Sequence, residues 1–170
     1  GFRFTAIARG AKLRPTFTRA TACVAFLAFA AATVPAAANP AIVIDAASGE
    51  TLIQQDATRP WYPASLTKLM TTFVALKAVR EGRITLDTPL RVSARATSMA
   101  PSKMGFRAGT LVTLDNALKM LMVKSANDIA VTIAEGVSGS VEAFANEMNA
   151  AASALGMHES HFTNPNGLPD

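Results

Sequence analysis

The chain has 170 residues, half of them apolar, which is enough for one domain with a sizeable core. Its net charge of +4 comes from the N-terminus: Arg3, Arg9, Lys12, Arg14 and Arg19 meet no acid there, and the remainder holds 11 basic against 12 acidic residues. That balance, with no long basic run, excludes a nucleic-acid patch on the folded part.

The first 38 residues have the zones of a secretory signal. Residues 3–19 are basic, residues 22–34 are almost wholly apolar, and Pro35-Ala36-Ala37-Ala38 supplies a helix breaker and small residues. Export with cleavage after Ala38 is expected. The apolar run is short for a membrane anchor, and too compact for an Arg/Ser-rich transit peptide. Cys23, the only cysteine, lies inside this segment. Residues 39–170, the expected folded domain, therefore contain no disulfide, thiol nucleophile or Cys-based zinc motif. The only histidines, His158 and His161, lack a third ligand and read as solvated loop residues. No metal or other cofactor is expected.

Along the folded part, residues 41–45 and 51–55 flank a turn at Ala46-Ala47-Ser48-Gly49 and predict a β-hairpin. Pro60 and Pro63 punctuate an irregular stretch. From Ala64, Leu66, Leu69, Met70, Phe73, Val74 and Leu76 recur at helical spacing up to Gly82, predicting a central helix. Residues 85–93 read as loop and short strand, and residues 94–110 as loop. A second helix is predicted over 114–123, capped by Thr113. A third is predicted over 128–137, capped by Asn127, and a fourth from Ser140 to Leu155, stopped by Gly156. The tail is turn-rich. A hairpin followed by a helical cluster is an α+β pattern, and a hairpin without a sheet partner leaves that sheet incomplete.

Two groups carry chemistry. In Ser65-Leu66-Thr67-Lys68 the spacing of three puts a hydroxyl and an ammonium on one helical face. A lysine whose pKa is depressed by desolvation can take the serine proton, and a helix N-terminus can stabilise the oxyanion that follows. The plain alternative is a serine at a helix start beside a solvated lysine. In Ser125-Ala126-Asn127, between two helices, Ser125 can relay a proton and Asn127 can hold a substrate amide; both are also ordinary capping residues. The two groups are expected to face one cleft.

The order S-x-x-K then S-x-N, in an exported chain without a Ser-His-Asp set, leads to a family. Trp61-Tyr62-Pro63-Ala64-Ser65-Leu66-Thr67-Lys68-Leu69-Met70-Thr71 resembles the nucleophile segment of the penicillin-binding serine D-alanyl-D-alanine carboxypeptidases. Leu121-Met122-Val123-Lys124-Ser125-Ala126-Asn127-Asp128 resembles their second motif, and Phe162-Thr163-Asn164-Pro165-Asn166-Gly167-Leu168 the segment after their helical cluster. The resemblance runs from residue 41 to the end. It implies a β-lactamase/DD-peptidase-like fold with Ser65 as acylated nucleophile, Lys68 as general base, Ser125 as proton shuttle and Asn127 as substrate binder. It implies a peptidoglycan pentapeptide as substrate and β-lactams as covalent inhibitors. It also implies peripheral inner-membrane association through a C-terminal region that these residues do not contain.

The family's third motif, K-T-G, does not occur in the 43 residues after Asn127. Lys103-Met104-Gly105 fits K-x-G by letters but precedes the second motif. The chain thus resembles the N-terminal part of a member, and a catalytically inactive fragment is one alternative. A peptidoglycan DD-endopeptidase is another, since the motifs do not separate the two activities. A class A β-lactamase would need an E-x-x-L-N segment that is not found here.

Overall fold

The structure, a computed structural model, describes residues 39–169. The predicted leader, with Cys23 and the cleavage point after Ala38, lies outside the described residues. The chain divides into two compact units between Arg59 and Pro60.

In the first unit β1 (Ala41–Ile44) pairs antiparallel with β2 (Thr51–Gln55), as the hairpin pattern predicts. Asp45 builds the turn. Its Oδ1 accepts the Ala47 and Ser48 N–H groups at 3.0 and 2.7 Å and the Ser48 hydroxyl at 2.9 Å. This is the local bonding by which Asp competes with regular structure. The register shifts between Val43 and Ile44.

The second unit is mainly helical. A 3₁₀ turn, Ala64–Leu66, leads into α1 (Thr67–Arg80). The apolar pattern predicts a central helix, yet Leu69, Phe73 and Leu76 face outward. The buried face is Thr67, Lys68, Met70, Thr71, Val74, Ala75 and Ala78. Small and polar side chains line it because α1 packs directly on another helix, and close approach of two backbones favours small residues at the contact.

Residues 94–110 are not wholly loop. Ser93 Oγ accepts the Ala96 N–H at 2.9 Å and caps a short helix, α2 (Ala94–Thr97). A second antiparallel pair also forms from β3 (Pro89–Arg91) and β4 (Leu111–Thr113). Thr113 closes this ladder opposite Pro89 and then caps α3 (Leu114–Lys124), accepting the Asn116 N–H. After a break at Ser125-Ala126 come α4 (Asn127–Ser138) and α5 (Val141–Ala154). The latter is capped by Ser140 through the Ala143 N–H. The described part is thus α+β, with two small antiparallel sheets and a helical cluster.

The core centres on α4. Its residues from Asn127 through Ala134 are all buried, and it packs against α1, α2, α3, α5 and β3. Phe144 and Met148 of α5 and Leu114 and Leu121 of α3 fill the space around it. At Gly136 the contact with β3 is so close that a Cβ would lie 2.6 Å from Leu90 Cδ2. Leu90 is itself 2 % exposed and part of the buried core cluster. Gly136→Val is therefore expected to destabilise the fold by about 1–3 kcal/mol through overpacking. Gly136→Ala should cost less, because alanine's helix preference offsets about 1 kcal/mol. Denaturant unfolding of both variants measures the difference; a neutral valine would show that the α4–β3 contact is loose.

Candidate active site

Ser65 lies in the 3₁₀ turn rather than in α1, and Lys68 is the second residue of that helix. In 3₁₀ geometry residues three apart eclipse. Lys68 Nζ accordingly stands 3.1 Å from Ser65 Oγ. Ser65 is exposed, whereas Lys68 is only 3 % exposed. The nucleophile candidate thus faces solvent while its base candidate comes from the interior.

The amine is held by the turn over residues 164–168. The Asn166 carbonyl accepts from Lys68 Nζ at 3.1 Å, and the Pro165 carbonyl accepts from Thr71 Oγ1 at 2.7 Å. Asn164 shapes this turn: its Oδ1 accepts the Asn166 and Gly167 N–H groups, and its Nδ2 donates to the Leu168 carbonyl. Asn166 Oδ1 in turn accepts the Leu168 N–H at 2.9 Å. Gly167 has φ +77°, and a Cβ there would run into the Ala64 carbonyl oxygen. Ala64 is itself left-handed, at φ +48°. Two unusual backbone conformations therefore meet where the loop docks beside the serine.

Burial lowers the Lys68 pKa, because desolvation penalises the ammonium. Its two oxygen partners, a hydroxyl and a peptide carbonyl, are neutral and supply no opposing charge. A lysine so placed loses its proton more readily and can accept one from Ser65.

Ser125 ends α3 in a left-handed conformation, φ +56°, and is half-buried. Ser65, Lys68 and Ser125 line one open cleft of about 330 Å³ together with Pro63, Leu66, Leu69, Leu121 and Met122. Three of the four site residues expected from the sequence are thus brought together. Asn127 does not line that cleft. It is buried at the start of α4, and Ala126, not Asn127, occupies the cap position. Its side chain is drawn away from the helix end because Nδ2 donates to the Ala100 carbonyl at 2.9 Å, while its N–H donates to Ser102. The helix start is served instead by Asp128, whose carboxylate accepts the Ile129 N–H at 2.9 Å. His158 and His161 are exposed.

Sequence reasoning missed the Asn166 carbonyl and the Asp128 carboxylate. The first is a backbone atom with no signature in the sequence. The second was visible as an acid in a first helical turn, a position that ordinarily needs no further explanation.

Two measurements follow from this geometry. The folded chain holds Lys68 at a lowered pKa, so between that value and 10.5 the unfolded chain binds more protons. Stability should therefore rise with pH across that window, with the full penalty of the buried ammonium present below it. Lys68→Met should abolish the rise and unfold at a higher temperature at neutral pH; an unchanged pH dependence would place the charge in solvent. Gly167→Ala should destabilise by about 2 kcal/mol or more, since both the positive φ and the Ala64 contact oppose a side chain. Thermal unfolding reads this directly.

Residues 28–170 match the sequence profile of the D-alanyl-D-alanine carboxypeptidases, peptidase family S11. The D-alanyl-D-alanine carboxypeptidase DacF of Bacillus subtilis is 35% identical over 133 residues, covering 78% of this chain and 34% of that protein. A D-alanyl-D-alanine endopeptidase of Pseudomonas aeruginosa is 32% identical over 78% of this chain and 42% of its own length. Among solved structures, the D-alanyl-D-alanine carboxypeptidase DacD from Francisella tularensis superposes with a TM-score of 0.72 at 33% identity, over 78% of this chain and 34% of that one. The chain spans about a third of the length of the carboxypeptidases it matches. The extent of the profile match and the shared fold place the chain in the penicillin-binding D-alanyl-D-alanine carboxypeptidase family of serine peptidases.

Proposed function

We propose that the protein containing this chain is a serine-type D-Ala-D-Ala carboxypeptidase that trims peptidoglycan stem peptides. The observation that carries this reading is the 3.1 Å contact between exposed Ser65 Oγ and the buried, desolvated amine of Lys68.

In this mechanism Lys68 takes the Ser65 proton as Oγ attacks the carbonyl between the two terminal D-alanines. The tetrahedral intermediate collapses to an ester on Ser65. The departing D-alanine nitrogen receives its proton from Lys68 by way of Ser125, which lines the same cleft. Asn127, which the family pattern gives to the donor peptide, is buried with Nδ2 on the Ala100 carbonyl and contributes here by tying that segment to the start of α4. Water then cleaves the ester and releases the shortened peptide. β-Lactams acylate the same serine, since their strained amide presents an equivalent carbonyl. The Ser65 N–H can serve the oxyanion as one donor, and a K-T-G strand supplies the second in the family pattern. The secretory pattern expected of residues 1–38 is the support for export to the periplasm, where this substrate is found. A DD-endopeptidase acting on cross-links is the second reading, favoured by the likeness to the Pseudomonas aeruginosa endopeptidase.

A fluorescent penicillin tests the nucleophile, and D-alanine release from a diacylated Lys-D-Ala-D-Ala peptide tests the reaction. Ser65→Ala should lose labelling and turnover by at least about 10³-fold. Lys68→Arg, which keeps the charge but cannot serve as base, should lose about 10²–10⁴-fold. Labelling that survives Ser65→Ala would move the nucleophile elsewhere. Labelling without D-alanine release, but with cleavage of a cross-linked dimer, would select the endopeptidase.

A further inference from the structure

Residues 100–105 form a surface strap whose bonds land on both sides of Ser125. Ser102 Oγ donates to the Lys124 carbonyl at 3.0 Å, on the residue before it. The Asn127 N–H donates to the Ser102 carbonyl at 2.7 Å, and Asn127 Nδ2 donates to the Ala100 carbonyl at 2.9 Å, two residues after it. The far end of the strap is fixed in turn by a buried carboxylate. Asp128, 1 % exposed, accepts the Met104 N–H on both carboxylate oxygens at 3.0 Å and the Gly105 N–H at 2.9 Å.

Ser125 needs such support. It is a non-glycine residue at φ +56°, a conformation that costs roughly 1 kcal/mol or more and persists only where the surroundings over-determine it. Its own side chain has no bond to the strap among the contacts just described. The turn is therefore held by its neighbours, and those neighbours are held by Asp128. A buried carboxylate engaged by backbone N–H groups makes charge-assisted bonds, which are about twice as strong as neutral ones.

We propose that Asp128 is a positioning residue for Ser125: by anchoring the 100–105 strap it locks the left-handed turn that presents the Ser125 hydroxyl to the Ser65–Lys68 pair. Asp128 touches no substrate and acts through Ser125, so the inference rests on the carboxypeptidase reading of the cleft. The Lys103-Met104-Gly105 sequence thereby acquires a role as strap backbone rather than as a displaced K-x-G motif.

The test is a double-mutant cycle on the protein containing this chain, read as the single-turnover acylation rate per labelled site with a fluorescent penicillin. That rate does not depend on the fraction of molecules folded. Asp128→Asn keeps the shape but removes the charge, and should slow acylation roughly tenfold. In a Ser125→Ala background, where no hydroxyl remains to be positioned, the same change should slow it by less than about twofold. An unchanged rate in Asp128→Asn, or the same slowing in both backgrounds, would overturn the proposal and leave Asp128 a purely structural group. If Asp128→Asn yields no folded protein, Ser102→Ala decides. It loosens the strap from its exposed side, and should slow acylation about two- to threefold in the parent and not in Ser125→Ala. A multiplicative effect of Ser102→Ala would equally overturn the idea. Absence of any Ser65-dependent label in the parent protein would refute the carboxypeptidase reading instead. Amide exchange would then read the strap alone: loss of protection at Ala126 and Asn127 on Asp128→Asn supports the hold, and unchanged protection removes it.

Discussion

Burial of the first two turns of α4 is the constraint on which the second unit depends. Every residue from Asn127 to Ala134 is covered, so four helices and one strand must find their places around a single rod. Surfaces this close tolerate only small side chains at several points. That is why Gly136 meets Leu90 and why α1 turns Thr71, Ala75 and Ala78 inward. The polar groups of the site sit at the ends of these elements. Ser65 precedes α1, Ser125 follows α3 and Asn127 opens α4. Packing in the middle of the helices therefore fixes the chemistry at their tips, and a shift of one helix along another would separate the groups.

The same packing decides the state of Lys68. A lysine within the core commonly stays charged by pairing with a carboxylate, and the pair then raises its pKa. Here the partners are the Ser65 hydroxyl and the Asn166 carbonyl. Both orient the amine but neither carries charge, so desolvation acts unopposed. A carboxylate in place of the Asn166 carbonyl would hold the amine equally well but would oppose the desolvation that lowers its pKa. The ion pairs found among the described residues lie at the surface, for example Arg95 with Glu142 and Lys119 with Asp115, where such pairs contribute little. Lys68, the buried cation among the described residues, instead meets a hydroxyl and a carbonyl and no carboxylate.

How much of this could be read from the sequence follows the range of the interactions. Thr113 and Ser140 act within one helical turn, and their capping was legible. So was the Ser65–Lys68 contact, which needs only three residues of separation. The β3–β4 pair was not, because its strands are three residues each and their pairing spans some twenty positions. Asn127 was misread as a cap because its true partner, the Ala100 carbonyl, is 27 residues away and is a backbone atom. The hold on Lys68 crosses 98 residues, again to a carbonyl. Side-chain pattern reveals which residues carry chemistry, whereas the backbone atoms that aim them leave no trace in composition or period.

Two non-glycine residues in the left-handed region, Ala64 and Ser125, adjoin or belong to the groups assigned chemistry. Neither position could relax without moving a hydroxyl of the cleft, since Ala64 immediately precedes Ser65 and Ser125 bears its own. Each strained residue is also met by a polar loop from elsewhere in the chain: the 164–168 turn docks on Ala64, and the 100–105 strap brackets Ser125. The two loops are built alike, with one buried or half-buried side chain, Asn164 or Asp128, gathering backbone N–H groups. Surface loops without such an anchor sample many conformations and hold a neighbour only weakly. An internal anchor lets an irregular segment act as a rigid wall. That makes it possible for a strained serine turn to persist beside an open cleft, where neither solvent nor a loose loop would constrain it.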